Sequence, residues 1–593
     1  MFYKVLIILS LCLSAHTVDC FAQNKPNLVV IMADDLGWGD ISLNGNKQVQ
    51  TPNIDSIANN GAQFDTFLVS PVCSPSRAAL LTGRHALKTG VYSVTRGGDK
   101  MRTSEVTLAE ILKQLGYATG AFGKWHNGAH YPHNANGQGF EQFVGFSDGH
   151  QTLYFDPVLE HNQNKIKTNG YIADVTSDYA IDFIKQNQHQ PFFAFLPINT
   201  PHSPFELPQQ LFAKYKQQGL SDLDASIYGM VENIDDNVGK VLTTLKQLNL
   251  IDNTIVVFMS DNGPAFPHGN KRFNGNLKGH KGKVDLGGIL SPLHIQYPAK
   301  LAGKTKVIQP IQHIDLVPTL LDLMSLQPTE KIDFDGISMA GDMLKPTAEI
   351  VPRLLYTHHF RNTQRRNQQA ILPNPASVLY YPWFAVFETD QTWRLFNIAD
   401  NKSQSLDVAA THKNQLDKMR SAYMDWYLEA SRDLAEIPTH IGHANHNTVE
   451  LAAHEGHISG LGIDYANKAG WAHDWIDVTE PQHAIIDFPL KVVAAGRYQM
   501  RLRYNSENQV EENSIQLRIH HQNCLVKTLA ATKPDVQLGQ RLYYTDEAVE
   551  QSWGYSEPCE FELPPTTDKL LIQFKKSPKA PLAIKAIEIT QIL

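Results

Sequence analysis

Cysteine is scarce in this chain, and one of the five stands apart. Cys12 and Cys20 lie in the N-terminal apolar stretch. Cys524 and Cys559, near the C-terminus, could pair in an oxidising compartment, although sequence alone does not say whether their Cα atoms are within bridging distance. Cys73 is left over, and an odd cysteine in an exported protein marks a reactive or modified thiol. The other candidates for chemistry come in short polar clusters, each just after an apolar run: Asp34-Asp35, Gly123-Lys124-Trp125-His126, Thr200-Pro201-His202 and Asp261-Asn262-Gly263. Three carboxylates and an amide oxygen are the hard oxygen set that Ca²⁺ or Mg²⁺ takes, whereas singly such residues also cap helices and form turns. His126 and His202 can serve as acid or base near neutrality, although most of 25 histidines must be ordinary surface or core residues. Lys271, Arg272, Lys278, Lys281 and Lys283 form a basic, glycine-rich run that reads either as a solvated loop or as an anion site.

These clusters need a scaffold that brings them together, and the runs before them supply one. Leu28 to Ala33 is continuously apolar, as for a strand buried on both faces. Further strands are expected at Ala118 to Phe122, Phe192 to Ile198, Thr254 to Ser260 and Leu293 to Tyr297. Helices are expected from Pro52, with Thr51 at the cap, from Thr107, where Thr107 and Glu110 spell a capping box, and over 171–187, 226–247 and 315–325. This alternation predicts an α/β fold with helices on both faces of a sheet, and open sheets of that kind gather their sites at the carboxyl ends of the strands. Trp383 to Phe387 and Trp393 to Ile398 read as a hairpin, followed by a helix over 411–428. Beyond the His-, Asn- and Gly-rich stretch from His440 to Asn447 only period-two strands remain, including 497–504, 514–520, 559–563 and 570–574, which reads as an all-β sandwich.

The length of 593 residues calls for more than one core. Apolar residues at 42% and charged residues at 19% describe an ordinary globular chain, and a net charge of -8 argues against a nucleic-acid binder. The start, with Lys4 ahead of the apolar Val5 to Leu13 and small residues to Ala22, is a secretory signal too short to span a membrane. It predicts a secreted or periplasmic protein with no transmembrane segment after cleavage. Asp19 weighs against a lipoprotein anchored at Cys20. The expected organisation is a signal over 1–22, a catalytic α/β domain over 23–345, a small α+β subdomain over 346–435 and a β-sandwich over 445–593.

The segment Cys73-Ser74-Pro75-Ser76-Arg77, followed by Thr82-Gly83, resembles the sulfatase signature Cys-x-Pro-x-Arg with its helix and Thr-Gly. The likeness runs from Asn27 to about Asp407, through Thr51-Pro52-Asn53-Ile54-Asp55, Gly123-Lys124-Trp125-His126, Asp261-Asn262-Gly263 and Asp315 to Leu321. The resemblance implies an alkaline-phosphatase-like fold, a large mixed sheet flanked by helices, and conversion of Cys73 to formylglycine by a maturation enzyme. It implies a divalent cation, Ca²⁺ rather than Mg²⁺, held by Asp34, Asp35, Asp261 and Asn262 with residue 73 upon it. Arg77 would hold the formylglycine, Lys124 and Lys281 would neutralise the sulfuryl oxygens, His126 would take a proton as sulfate leaves, and His202 would serve the departing alcohol. Gly279-His280-Lys281-Gly282 matches the family's Gly-x-Lys-Gly loop and selects Lys281 over Lys278, but Leu286 and Leu290 stand where the family usually has Glu and Arg.

A sulfated polysaccharide, with an algal galactan such as carrageenan first, is the expected substrate, because export and a β-sandwich suit a large external one. His85, His150 and Tyr154 are candidate pocket residues. A formylglycine-dependent phosphonate monoester or phosphodiester hydrolase, an aryl sulfatase and an inactive glycan-binding protein are the alternatives.

Overall fold

A computed structural model describes residues 25–266, 271–360, 372–466, 471–511, 514–532, 552–578 and 581–592. The expected signal, with Cys12 and Cys20, lies outside the described residues. The first part is built on a ten-stranded mixed sheet. Its five middle strands, Thr254–Ser260, Asn27–Ala33, Phe192–Pro197, Ala118–Lys124 and Gln142–Phe146, are mutually parallel. Antiparallel strands flank them: Leu293–Gln296 pairs with Thr254–Ser260, and Val158–His161 with Gln142–Phe146.

Both faces of this sheet are covered, which is why its strands read as unbroken apolar runs. Along Asn27–Ala33, Leu28, Val30 and Met32 enter one core and Val29, Ile31 and Ala33 the other, as the two-residue period of a strand requires. The first core is closed by helices Cys73–Thr82, Leu108–Gln114 and Leu316–Met324, the second by Pro52–Asn59, Ile172–Gln186 and Asp222–Gln247. Thr107 caps its helix as expected, accepting from the Glu110 N–H at 3.1 Å while Glu110 accepts from the Thr107 N–H at 2.8 Å. Thr51 holds the N-cap position of the helix that follows it, as expected, but its side chain makes no capping hydrogen bond. Its hydroxyl turns to Asp55 and Ser42, and the first N–H groups of Pro52–Asn59 are met instead by Asp235, which accepts from Asn53 at 3.0 Å and Ile54 at 2.8 Å. A carboxylate from a packed neighbour replaces the local cap, a contribution worth about 1 kcal/mol.

Next comes a four-stranded antiparallel sheet, Leu355–His358, Ala376–Tyr380, Trp383–Phe387 and Trp393–Asn397, with helix Lys413–Ala430 laying Met419, Tyr423 and Tyr427 against it. The C-terminal part is all β. Among the described residues, eleven strands form one hydrogen-bonded set around its own core, organised by the long strands Ile476–Val492, Gly496–Ser506 and Leu582–Ile592. Cys524 and Cys559 are joined in a disulfide with Cα atoms 5.8 Å apart. Closing a loop across a separation of 35 residues stabilises by about 4 kcal/mol in the chain-entropy view.

Candidate active site

Because the middle strands run parallel, the segments after them emerge on one edge of the sheet. Asp34-Asp35 follows Asn27–Ala33, Asp261-Asn262 follows Thr254–Ser260, Lys124 ends its strand with His126 just beyond, and the chain from Phe192–Pro197 continues to His202. Cys73 reaches the same place as the first residue of helix Cys73–Thr82, all of whose residues are buried. That helix ends at Gly83, with φ of 67°, where a Cβ would lie 2.8 Å from Phe334. Any side chain at 83 would have to push that ring aside.

The centre is a buried lattice of opposite charges. Arg77 donates through Nε and Nη2 to Asp261 Oδ2 at 3.1 and 2.8 Å and through Nη1 to the Lys124 carbonyl at 2.6 Å. Lys124 Nζ donates to Asp34 Oδ2 at 2.6 Å, and Lys281 Nζ lies 2.8 Å from Asp35 Oδ1. Asn262 donates to Asp35 Oδ1 at 2.7 Å. Removing one member of such a buried pair leaves its partner uncompensated, at about 3–5 kcal/mol. Asp35 adopts φ of 66°, a left-handed conformation uncommon for a residue with a side chain and frequent where a site dictates the backbone.

Three observations fit this lattice to a divalent cation. Ligand atoms of Asp34, Cys73 and Asp261 all lie within 4.8 Å of one another, as do those of Asp34, Asp35 and His202. Among the described residues, Asp34 Oδ1 and Asn262 Oδ1 are buried acceptors that meet no donor, and each such orphan costs about 1–3 kcal/mol. Burial, and then the charge of Asp34, push the Asp261 carboxyl well above its ordinary range, a penalty that a cation there would reverse. Against burial, Lys124, His202, Arg77 and Lys281 hold Asp34 well below that range.

The two histidines are fixed as neutral rings with defined faces. His126 Nε2 lies 2.9 Å from the Val94 carbonyl, which can only accept, so Nε2 carries the proton and the buried, unpartnered Nδ1 carries the lone pair. Burial and then Lys124 push His126 down to about 3. Its backbone is left-handed at φ of 61°, and a Cβ on Gly149 would come within 2.3 Å of its ring, so only glycine lets that loop close over it. His202 donates through Nδ1 to the Ser203 carbonyl at 2.8 Å and turns Nε2 toward Asp35, 3.8 Å from Oδ2. Burial and then Lys281 push it down to about 4. Burial opposes the charge on Lys281, but Asp35 overrides it and raises the ammonium well above its ordinary value.

The structure therefore gathers Asp34, Asp35, Cys73, Arg77, Lys124, Asp261, Asn262, Lys281 and His202 into one network, with His126 held beside Lys124. Lys278 goes elsewhere, to Asp285 at 2.9 Å. Leu286 and Leu290 are buried with Leu355, Leu379 and Phe384, so an apolar contact with the four-stranded sheet fixes the loop after Lys281. The three pocket candidates separate. His150 places its ring centroid 5.4 Å from that of His202. Tyr154 is 1% exposed and its hydroxyl lies 2.9 and 2.8 Å from the carbonyls of His202 and Ser203, so it braces the His202 loop from beneath. His85 lies in a small cleft with Ser70, Pro75, His313, Tyr356, His358 and Trp426, on the flank of the Cys73 helix. Not foreseen from sequence is Asn127, which donates to the carbonyl and hydroxyl of Ser74 at 3.0 and 3.1 Å and ties the Cys73 turn to the His126 segment. Its place directly after His126 was the available signal.

Fold and site together define an α/β protein whose buried polar centre, built of paired carboxylates and cations, suits an anionic ester. Comparison with known proteins makes this specific. The family profile described as Sulfatase matches residues 26–326. The chain is 32% identical over 357 residues to the N-acetylgalactosamine-6-sulfatase of Mus musculus, covering 55% of this chain and 67% of that one. It is 26% identical over 518 residues to a sulfatase of Formosa agariphila, covering 71% and 92% respectively. The solved structure of Ps i-CgsB in complex with k-i-k-neocarrahexaose superposes with a TM-score of 0.63 at 30% identity, over 70% of this chain and 95% of that one. The chain belongs to the sulfatase family and is a sulfuric ester hydrolase.

Proposed function

We propose that this sulfatase removes sulfate from a sulfated polysaccharide or its oligosaccharides, carrageenan first among them, with formylglycine at position 73. The observation that carries the chemistry is the approach of Cys73 to within 4.8 Å of ligand atoms of Asp34 and Asp261, in a site whose buried acceptors ask for a cation. The substrate class draws support from the likeness to a protein solved with a neocarrahexaose bound.

The residues then divide the work. Asp34, Asp35, Asp261 and Asn262 would hold the cation, calcium by family resemblance, which when bound supplies charge that acidifies a neighbouring hydroxyl and neutralises a sulfate oxygen. Hydrated formylglycine offers one hydroxyl to take the sulfuryl group and a second whose deprotonation expels sulfate. Arg77 anchors that residue's surroundings through Asp261. Lys124 and Lys281 stand ready for the sulfuryl oxygens, where a preorganised donor is worth about 3–4 kcal/mol. His126 accepts a proton at Nδ1 as sulfate leaves. His202 presents Nε2 to the leaving alcohol, and the anionic substrate beside it favours its protonated form.

Cys73 is 3% exposed, so a maturation enzyme must act before the chain folds around it. The Cys524–Cys559 disulfide supports export to the periplasm or the exterior. Among the described residues no helix is long and apolar enough to cross a membrane. Desulfation of defined carrageenan oligosaccharides, measured beside matched aryl sulfate and aryl phosphate esters, tests the proposal. Preference for the sulfated sugars is expected, and a preference for the phosphorus ester would overturn it.

A further inference from the structure

The C-terminal β part meets the catalytic residues by two separate routes. In the first, the His454 carbonyl accepts from the Arg96 N–H at 3.1 Å and lies 3.4 Å from Thr95 Oγ1. Glu455 lies 3.2 Å from Lys100 Nζ and 2.8 Å from His130 Nε2, and Lys100 also donates to Thr439. These contacts secure residues 95–100, the continuation of the segment whose Val94 carbonyl fixes the His126 ring.

The second route is a relay of three histidines. His473 Nε2 donates to the His150 carbonyl at 2.8 Å, and the His150 ring lies 6.2 Å from that of His473 and 5.4 Å from that of His202. His473 is itself tightly held. Its carbonyl accepts from Lys585, whose Nζ lies 5.6 Å from the Trp475 ring centroid and 5.3 Å from that of Trp553. The backbone at His473 is left-handed, φ 66°, a region uncommon for residues other than glycine.

We propose that the C-terminal β part completes the active site, with His473 as a positioning residue: it fixes His150, and through the His150 ring it sets His202 against the leaving alcohol. This rests on the reading of His202 given above. Its consequence concerns leaving groups. A sugar alkoxide is a poor leaving group and depends on a well-placed proton donor, whereas a nitrophenolate departs without one.

The test uses the full chain and two substrates, an aryl sulfate chosen from a small panel for turnover and a sulfated oligosaccharide that the wild type desulfates. His473→Asn and His473→Gly both suit a left-handed backbone, so two tolerant variants guard against loss of the fold. Neither carries an N–H out to the His150 carbonyl, whereas His473→Gln does. The Asn and Gly variants are expected to lose at least about 10-fold more kcat/KM on the oligosaccharide than on the aryl sulfate, mainly in kcat, with the Gln variant within about 3-fold of wild type. An equal loss on both substrates, or none in protein with a wild-type melting curve, would overturn the proposal. His202→Gln separates the two claims. If it shows the selective loss and the His473 variants do not, the inference fails and the reading of His202 stands; if neither shows it, both fail.

Discussion

The carbonyl of Val94 receives the Nε2 proton of His126 at 2.9 Å, which leaves Nδ1 as that ring's only basic atom. A base fixed in this way is ready to take one proton and has no second orientation to offer. His126→Ala should therefore spare the departure of the alcohol more than the departure of sulfate. Rapid mixing should show a burst of alcohol near one equivalent per enzyme, followed by turnover slower than wild type by about 10²–10⁴-fold. A slow linear course with no burst would place His126 in the first step instead.

The orphaned Asp34 Oδ1 and Asn262 Oδ1 predict that a bound cation stabilises the fold as well as serving activity. Chelation should abolish turnover and lower the melting temperature, and Ca²⁺ should restore both. At a hundredfold excess over its dissociation constant a cation adds about 2.7 kcal/mol. Asp261→Asn should melt at the same temperature with and without Ca²⁺. A wild-type melting temperature indifferent to chelation would remove the cation from this site.

The Glu455 contact should make the union of the C-terminal part with the rest depend on pH in both directions. Against burial, His130 and Lys100 hold Glu455 well below its ordinary 4.5, so its contribution is complete above 4.5 and is lost as pH falls through the depressed value. Against burial, Glu455 raises His130 above its ordinary 6.5, so that contribution is complete below 6.5 and is lost as pH rises through the elevated value. Both are full between those limits. The stability gap between wild type and Glu455→Gln, about 3–5 kcal/mol for breaking a buried pair, should be widest there and narrow at alkaline pH as His130 discharges. Melting curves across pH check this, and a gap that widens with alkalinity would contradict it.

What the sequence disclosed follows from how local each cause is. Thr254–Ser260 and Cys559–Leu563 were legible to the residue because burial on both faces, or strict alternation, writes itself into consecutive side chains. Thr51 marks the cap position correctly, but the side chain that meets the first N–H groups of its helix, Asp235, is 182 residues from Asn53 and has no local signal. The strand Ile476–Val492 is hidden in the sequence, since Pro481 and Pro489 interrupt any strand pattern and the charged Glu480 and Lys491 blur the alternation. At the site, the carboxylates, Lys124 and both histidines were readable as polar clusters after apolar runs. The Val94 carbonyl was not, because a backbone acceptor has no residue type to announce it. His473 and Lys585 were hidden for another reason: their meaning depends on how the C-terminal strands pack against residues 148–150, a relationship carried by no single stretch of sequence. Tyr154 is legible only as a polar aromatic in a loop, because its burial beneath His202 is set by the fold.

The most direct measurement is the mass of the tryptic peptide Gln48–Arg77, taken from protein made in its own host. Residue 73 should have lost its sulfur and carry an aldehyde, and Cys73→Ala should lose turnover by more than about a thousandfold while melting as the wild type does. An intact Cys73 thiol in protein that hydrolyses a sulfate ester at full rate would contradict the claim that this cysteine is the precursor of the nucleophile.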